Sequence, residues 1–217
     1  MADSSGAAAS AREQAAWPLI TAANAKSGLD WWLIYGVIEQ ESGFDPASES
    51  GCGALGLMQL MPSSFPSFTR TQLLDPATNV KLGSEFLREC IAVWMLESAD
   101  EAIKFGLASY NGGSGYVLAA QHAAATAGLD PSVWLCVRPY LAAIECNGKR
   151  PDVRQITDYV QRIWGLYQAR RGRPTPAAVA AAAAGGGSSV PGKAPDVGLQ
   201  LHRYAGLLGK MGKFGLW

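Results

Sequence analysis

The sequence predicts a mainly α-helical domain with at most a tiny sheet. Three observations carry this. Ile34, Val37, Ile38 and Glu41 recur at i, i+3, i+4 and i+7, and Ile156, Tyr159, Val160, Ile163 and Tyr167 line one face in the same way. Start and stop signals bound such segments, with Asp30 before one, Asp75-Pro76 before another and Asn111-Gly112-Gly113 after a third. Only residues 45–71, punctuated by Gly51, Gly53, Gly56, Pro62 and Pro66, lack helical periodicity and leave room for a small sheet.

In chain order, residues 1–16 are small and polar and read as a flexible arm. A first helix runs from Trp17 to Gly28, and Asp30 caps a second over 31–42, which Gly43 ends and Pro46 prevents from resuming. On that helix Glu39 faces water and Glu41 lies on the apolar stripe. The loop that follows holds a short helical turn near 57–61. A third helix is expected over 75–97, with Val80, Gly83, Leu87, Ile91 and Trp94 facing inward and Gly83 allowing close packing. The fourth, 99–110, opens on Asp100 and Glu101 at the positive end of its dipole, with Ile103, Leu107 and Tyr110 on one face. A fifth spans 116–127, a sixth 131–145 with a break at Pro139, and the last 153–170. One domain over 17–172 follows, then an Ala/Gly/Pro-rich linker over 173–196 and an apolar C-terminal docking peptide over 197–217.

Charge and cysteine usage exclude some function classes. With 18 basic and 18 acidic residues the chain lacks the basic excess of a nucleic-acid binder. The short run Arg170 to Arg173 reads either as a basic patch or as a solvated helix end. Cys52, Cys90, Cys136 and Cys146 form no CxxC pair and lie far in sequence from His122 and His202, which argues against zinc. Free thiols are the default, with pairing of Cys136 and Cys146 the alternative in an oxidising space. The N-terminus has neither a basic n-region nor a long apolar h-region, and no run reaches a membrane span's length. The expectation is synthesis in a bacterial cytoplasm without a signal peptide.

Glu41 is the candidate for chemistry. It falls at the negative end of a helix dipole and on the inward face, and both raise its pKa. A carboxyl kept protonated near neutral pH suits a general acid that protonates a glycosidic oxygen. Taken alone, the same position is better described as a buried glutamate satisfied by backbone donors.

An ordered set of motifs adds to this. Glu41-Ser42-Gly43-Phe44 is followed by Ser50, then Gly53-Ala54-Leu55-Gly56-Leu57-Met58-Gln59-Leu60-Met61-Pro62. Asp75 to Gly83, Ala108-Ser109-Tyr110-Asn111-Gly112-Gly113 and Tyr159-Val160 complete it. From Trp17 to Arg171 the chain resembles the catalytic domain of the soluble lytic murein transglycosylases, the goose-type-lysozyme-like family. The resemblance implies a lysozyme-like helical fold with a long sugar-binding groove, and peptidoglycan glycan strands as substrate. It implies cleavage of the β-1,4 bond between N-acetylmuramic acid and N-acetylglucosamine. Glu41 matches the single acid and base, and Tyr159 the tyrosine that positions its carboxyl. Ser50 and Gln59 match sugar-binding groups, Met61 a groove-lining methionine, and Tyr110 and Asn111 the pair beside the reacting sugar. Two positions depart from the pattern: Gln155 replaces a glutamate four residues before Tyr159, and Ser109 replaces an alanine.

The chemistry implied needs no cofactor. Ordinary glycosidases use two carboxylates, whereas here Asp45 and Glu49 are nearby acids outside any constrained pattern. Glu41 would protonate the leaving oxygen, then as a base take a proton from the C6 hydroxyl, which closes a 1,6-anhydro ring on C1. The expected setting is a bacteriophage virion, tail-associated or internal, with local opening of the wall during genome delivery. The expected partners are other virion or secretion-apparatus proteins, reached through both tails, with a homo-oligomer in the assembly and no specific nucleic acid. A hydrolytic lysozyme or endolysin on the same fold, and an inactive virion protein, are the alternatives.

Overall fold

The computed structural model describes residues 4–94, 97–176 and 178–179. The fold is mainly α, with eight α-helices among those residues: α1 Ser4–Ser27, α2 Trp31–Ser42, α3 Arg70–Leu74, α4 Pro76–Ala92, α5 Ala99–Gly112, α6 Ser114–Thr126, α7 Trp134–Val137 and α8 Val153–Arg170. Short 3-10 turns cover Pro62–Ser64 and Arg138–Ala143. The small sheet foreseen in the loop amounts to isolated bridges, Glu49 to Leu55 and Leu55 to Leu60.

Helix α2 is the centre of the molecule, with every residue from Trp32 to Ile38 buried. Asp30 caps its start by accepting from Trp32 N at 2.8 Å. Gly43, at φ 57°, turns the chain out of it in the left-handed conformation that glycine adopts without penalty. It packs on α1 and α8, while α5 is held between α4, α6 and α8. Trp17, Trp32, Tyr35 and Phe44 form one aromatic cluster. Arg170 covers it, its guanidinium 4.9 Å from the Tyr35 ring centroid, and Arg171 pairs with Asp100 at 2.9 Å. The Arg170–Arg173 run is therefore in part packed and paired rather than simply solvated.

The structure differs from the expected elements in several places. Residues 4–16, expected as an arm, are the first half of α1. Alanine-rich sequence favours helix, and tertiary contacts hold it: Tyr35 Oη donates to Glu13 at 3.0 Å and Arg12 pairs with Asp45 at 3.2 Å. The turn at 57–61 is not helical; the one helical turn there comes later, at Pro62–Ser64. Helix α3 went unforeseen, although Thr69 and Gln72 form a capping box. Helix α4 stops at Ala92 rather than at residue 97, and Trp94 just beyond it donates from Nε1 to Ser109 Oγ at 3.1 Å. The sixth helix starts at Trp134, whose N–H donates to Glu101 at 2.7 Å, and becomes 3-10 around Pro139. Residues beyond α8 stay on the domain at first: Trp32 Nε1 donates to Arg173 O at 3.1 Å, and Thr175 is buried. The rest of the expected linker and the C-terminal docking peptide lie outside the described residues. Cys52, Cys90, Cys136 and Cys146 carry free thiols. No helix among the described residues is long and apolar enough to cross a membrane.

Candidate active site

The last turn of α2 meets the middle of α8. Tyr159 Oη donates to Glu41 Oε1 at 2.7 Å. Tyr159 is buried on the inward stripe of α8, and Glu41 is half-buried. Burial raises the Glu41 carboxyl to about 7, against the opposing pull of the Tyr159 hydrogen bond, which lowers it. Burial first, then the Glu41 charge, holds the Tyr159 and Tyr110 hydroxyls well above their ordinary value, so both stay neutral donors.

The loop after α2 closes onto this pair. Ser42 Oγ lies 2.9 Å from Leu57 O, which ties the end of α2 to the loop. Tyr110, at the end of α5, donates from Oη to Met58 O at 2.8 Å. Asn79, fully buried on α4, accepts from Met58 N at 2.8 Å and donates to Leu55 O and Leu73 O at 2.8 and 2.7 Å. Two glycines permit this approach. A Cβ on Gly56, which has φ 74°, would fall 2.5 Å from Asn79 Nδ2, and one on Gly83 would fall 2.6 Å from Met58 Sδ. The close packing expected at Gly83 is thus α4 against Met58.

The other expected residues surround the pair in different capacities. Gln59 holds a left-handed conformation at φ 48°, and its Nε2 donates to Gly56 O and Ser48 O at 2.9 and 3.2 Å. Its amide nitrogen is spent on the loop, which leaves Oε1 for a ligand. Ser50 Oγ accepts from Ala54 N at 2.9 Å and so shapes the turn. Met61 is exposed just before Pro62. Asn111 Oδ1 is buried without a hydrogen-bond partner, an acceptor that a substrate N–H or O–H would satisfy.

The two departures also have places. Ser109 takes the Trp94 N–H, so its hydroxyl is structural. Gln155 lies one turn before Tyr159 and lines a shallow polar depression with Asn111, Tyr116 and Arg150. Asp158 does not stand in for the missing glutamate; it pairs with Arg154 along the exposed side of α8 at 3.6 Å.

Sequence reasoning held Ser42, Met58 and Asn79 within its motifs but gave no role to Ser42, Asn79 or the Met58 carbonyl. Asn79 left a signal, a polar residue one place before Val80 on the inward side of α4. The Met58 carbonyl left none, since backbone atoms carry no sequence mark.

The next two acids after Glu41 in sequence are engaged elsewhere. Glu49 takes a bidentate contact from Arg70, with Nη1 to Oε1 at 2.8 Å, and this holds its carboxyl below the ordinary value. Asp45 pairs with Arg12 and accepts from Ala47 N at 3.0 Å.

Comparison with known proteins identifies the family. The family described as "Transglycosylase SLT domain" matches residues 18–130. The chain is 37% identical over 158 residues to membrane-bound lytic murein transglycosylase F of Desulfosudis oleivorans, covering 69% of this chain and 35% of that protein. It is 45% identical over 73 residues to the transglycosylase of Enterobacteria phage PRD1, covering 34% of this chain and 28% of that one. The chain thus spans about a third or less of the length of these curated relatives. The X-ray structure of an inactive mutant of lytic transglycosylase Slt from Pseudomonas aeruginosa is similar at a TM-score of 0.52 and 25% identity, over 73% of this chain and 25% of that one. The match over residues 18–130, just over half of the chain, places this chain in the SLT transglycosylase domain family.

Proposed function

We propose that this domain is a peptidoglycan lytic transglycosylase that cleaves the β-1,4 bond between N-acetylmuramic acid and N-acetylglucosamine. The observation that carries the reading is the Glu41 carboxyl, raised to about 7 and held by Tyr159. Such a group is protonated often enough near neutral pH to give a proton, and basic enough afterwards to take one. Glu41 donates its proton to the glycosidic oxygen as the C1–O bond breaks. The substrate's acetamido oxygen supports the developing positive charge at C1. Glu41, now a carboxylate, takes the C6 hydroxyl proton while that oxygen bonds to C1. The products are a new 4-hydroxyl and a 1,6-anhydro end, with no water consumed. Holding the C6 hydroxyl on the same sugar gives it the effective concentration of an intramolecular nucleophile. Ser50, Gln59, Met61, Tyr110 and Asn111 are the proposed sugar contacts, Gln59 through Oε1 and Asn111 through Oδ1.

Digestion of purified peptidoglycan followed by mass spectrometry tests this. Anhydro-muramic ends that vanish with Glu41→Gln are expected; reducing muramic ends in their place would make the enzyme a hydrolase. A digest no faster than that of the variant would leave only a structural role.

The setting proposed is a phage particle that carries the domain to the periplasmic wall and opens it during genome delivery, with other virion proteins as partners. The likeness over 73 residues to a phage transglycosylase supports it. Tail or portal genes beside the coding sequence are the expected finding, and a chromosomal secretion operon would replace the virion with that apparatus.

A further inference from the structure

A pocket of about 210 Å³ opens at the first turn of α2, the end opposite Glu41. Leu29 and Leu33 meet Ile91 of α4, Ala102 and Ile103 of α5 and Tyr167 of α8 there. Clefts that hold small molecules and cofactors run from about 300 Å³ upward; this one has room for one large apolar side chain. Asp30 and Glu97 complete the lining, with no lysine or arginine among the described residues. Asp30 caps α2 and has Arg171 near it, but that guanidinium is already paired with Asp100 at 2.9 Å. Glu97 accepts from Gln121 Nε2 at 3.2 Å and makes no ion pair among the described residues. The charges it feels are those of Asp130 and Glu101. Burial holds the Asp30 and Glu97 carboxyls above their ordinary range, and a cation brought to the pocket would favour their ionised forms. Such a pocket selects an apolar anchor with a cation beside it.

The chain itself carries that chemistry. Residues 197–217 include Arg203, Lys210 and Lys213 and no acid, so their charge is opposite to that of the pocket. Within them Phe214 has one lysine directly before it and another four residues before. The chain also leaves the domain on this side. Tyr167 lines the pocket, Arg171 pairs with Asp100 beside it, and Arg173 O accepts from Trp32 Nε1 at 3.1 Å, next to Leu33. Residues 180–209 are long enough to lead from there back to the pocket. A tether of this kind gives the segment an effective concentration of about millimolar, at which one anchor and its flanking charges suffice.

We propose that the segment Lys210–Phe214 docks on its own domain, with Phe214 seated among Leu29, Leu33, Ile103 and Tyr167 and its lysines against Asp30 and Glu97. The apolar C-terminal peptide then has an intramolecular seat in place of an external one. Leu33 and Glu41 are about 12 Å apart along α2, so the docked segment leaves the candidate active site open. This contact is independent of the reaction proposed above.

The test uses the full chain, as a mixture of isotope-labelled and unlabelled protein. A carbodiimide joins a lysine amine to a carboxylate in contact with it, and mass spectrometry of the digest identifies the joined peptides. Lys210 or Lys213 is expected to be joined to Glu97 or Asp30, within chains of one isotope. Phe214→Ser is expected to lower that yield about tenfold and to speed hydrogen exchange of the amides at 99–103. Lys210→Glu with Lys213→Glu is expected to speed the same amides, and Glu97→Lys added to that variant to slow them again. Circular dichroism confirms that each variant folds. Absence of these cross-links, or equal yields to Glu85 and Glu145 outside the pocket, overturns the proposal and leaves the segment to an external partner or a membrane. Cross-links of mixed isotope overturn it in favour of a second copy of the chain. A yield unchanged in Phe214→Ser overturns the apolar seat.

Discussion

Tyr159 and Glu41, 118 residues apart, share a 2.7 Å hydrogen bond in which the phenol donates to carboxyl Oε1. The bond does two things. It fixes the carboxyl's orientation at the end of α2, and it pulls the Glu41 pKa down against the larger upward push of burial. On the proposed mechanism Tyr159 is a positioning residue that also sets the working range of the acid.

Tyr159→Phe separates these two effects. Removing the donor removes the downward pull, so the Glu41 pKa moves above its present value of about 7. The alkaline limb of the pH–rate profile is expected to shift upward, while kcat falls by about 10- to 100-fold because the carboxyl loses its fixed orientation. Rates of anhydro-product release measured from pH 5 to pH 9 check it. A fall in kcat with an unmoved alkaline limb would mean that the tyrosine acts on geometry alone.

Glu41→Gln is expected to lose activity and gain stability above neutral pH. The Glu41 pKa rises from 4.5 in the unfolded chain to about 7 in the folded one. The folded state thus binds the proton more tightly, and that stabilisation is complete below pH 4.5 and is lost as pH rises through 7. At pH 8 the native protein carries an ionised, enclosed carboxylate at a cost on the order of 3 kcal/mol. Glutamine can still accept from Tyr159 and carries no such cost. The melting temperature of the variant should exceed that of the native protein by several degrees at pH 8, with the gap narrowing toward pH 5. A gap that does not change with pH would contradict the raised pKa.

Asn79→Ala tests the support beneath the loop. The change removes the acceptor for Met58 N and the donor to Leu55 O and Leu73 O, all in buried surroundings. A loss of about 3 kcal/mol or more in urea unfolding is expected. Hydrogen exchange at the Met58 amide should speed up, and KM should rise, because Gln59 and the carbonyl that holds Tyr110 sit on the same loop. Stability lost without any change in KM would separate this network from the groove.

These residues show how far the sequence could be read. Periodicity and caps were enough to place α2 and α8, because Asp30, Gly43 and the stripe from Ile156 to Tyr167 act locally. Glu41 was conspicuous as a carboxylate on an apolar face, and its pairing with Tyr159 came from the motif resemblance, since nothing local links α2 to α8. Helix α3 was hidden by the glycines and prolines before it, although its Thr69–Gln72 box was there to be seen. The extension of α1 depended on Arg12 finding Asp45 and Glu13 finding Tyr35, contacts that exist only after the chain has folded. The role of Ser109 depended likewise on the Trp94 Nε1–H reaching it from just past the end of α4, a contact that the helical period of neither segment marks.

The acids near Glu41 give the last prediction. A hydrolase on this fold would need a second carboxylate to activate water, and Asp45 and Glu49 are the next two acids after Glu41 in sequence. Both are already occupied, Asp45 by Arg12 at 3.2 Å and Glu49 by the two-pronged contact with Arg70. The Arg70 contact lowers the Glu49 pKa and makes that carboxylate a poorer base, while Asp45 is taken up by Arg12 and Ala47 N. Asp45→Asn and Glu49→Gln are therefore each expected to retain activity within about threefold, well short of the ~100-fold or greater loss that follows removal of a general base. Their digests should still end in 1,6-anhydro rings. A large loss of rate in either variant, with reducing ends in the native digest, would move the second proton transfer from Glu41 to that residue and replace the C6 hydroxyl with water as the nucleophile.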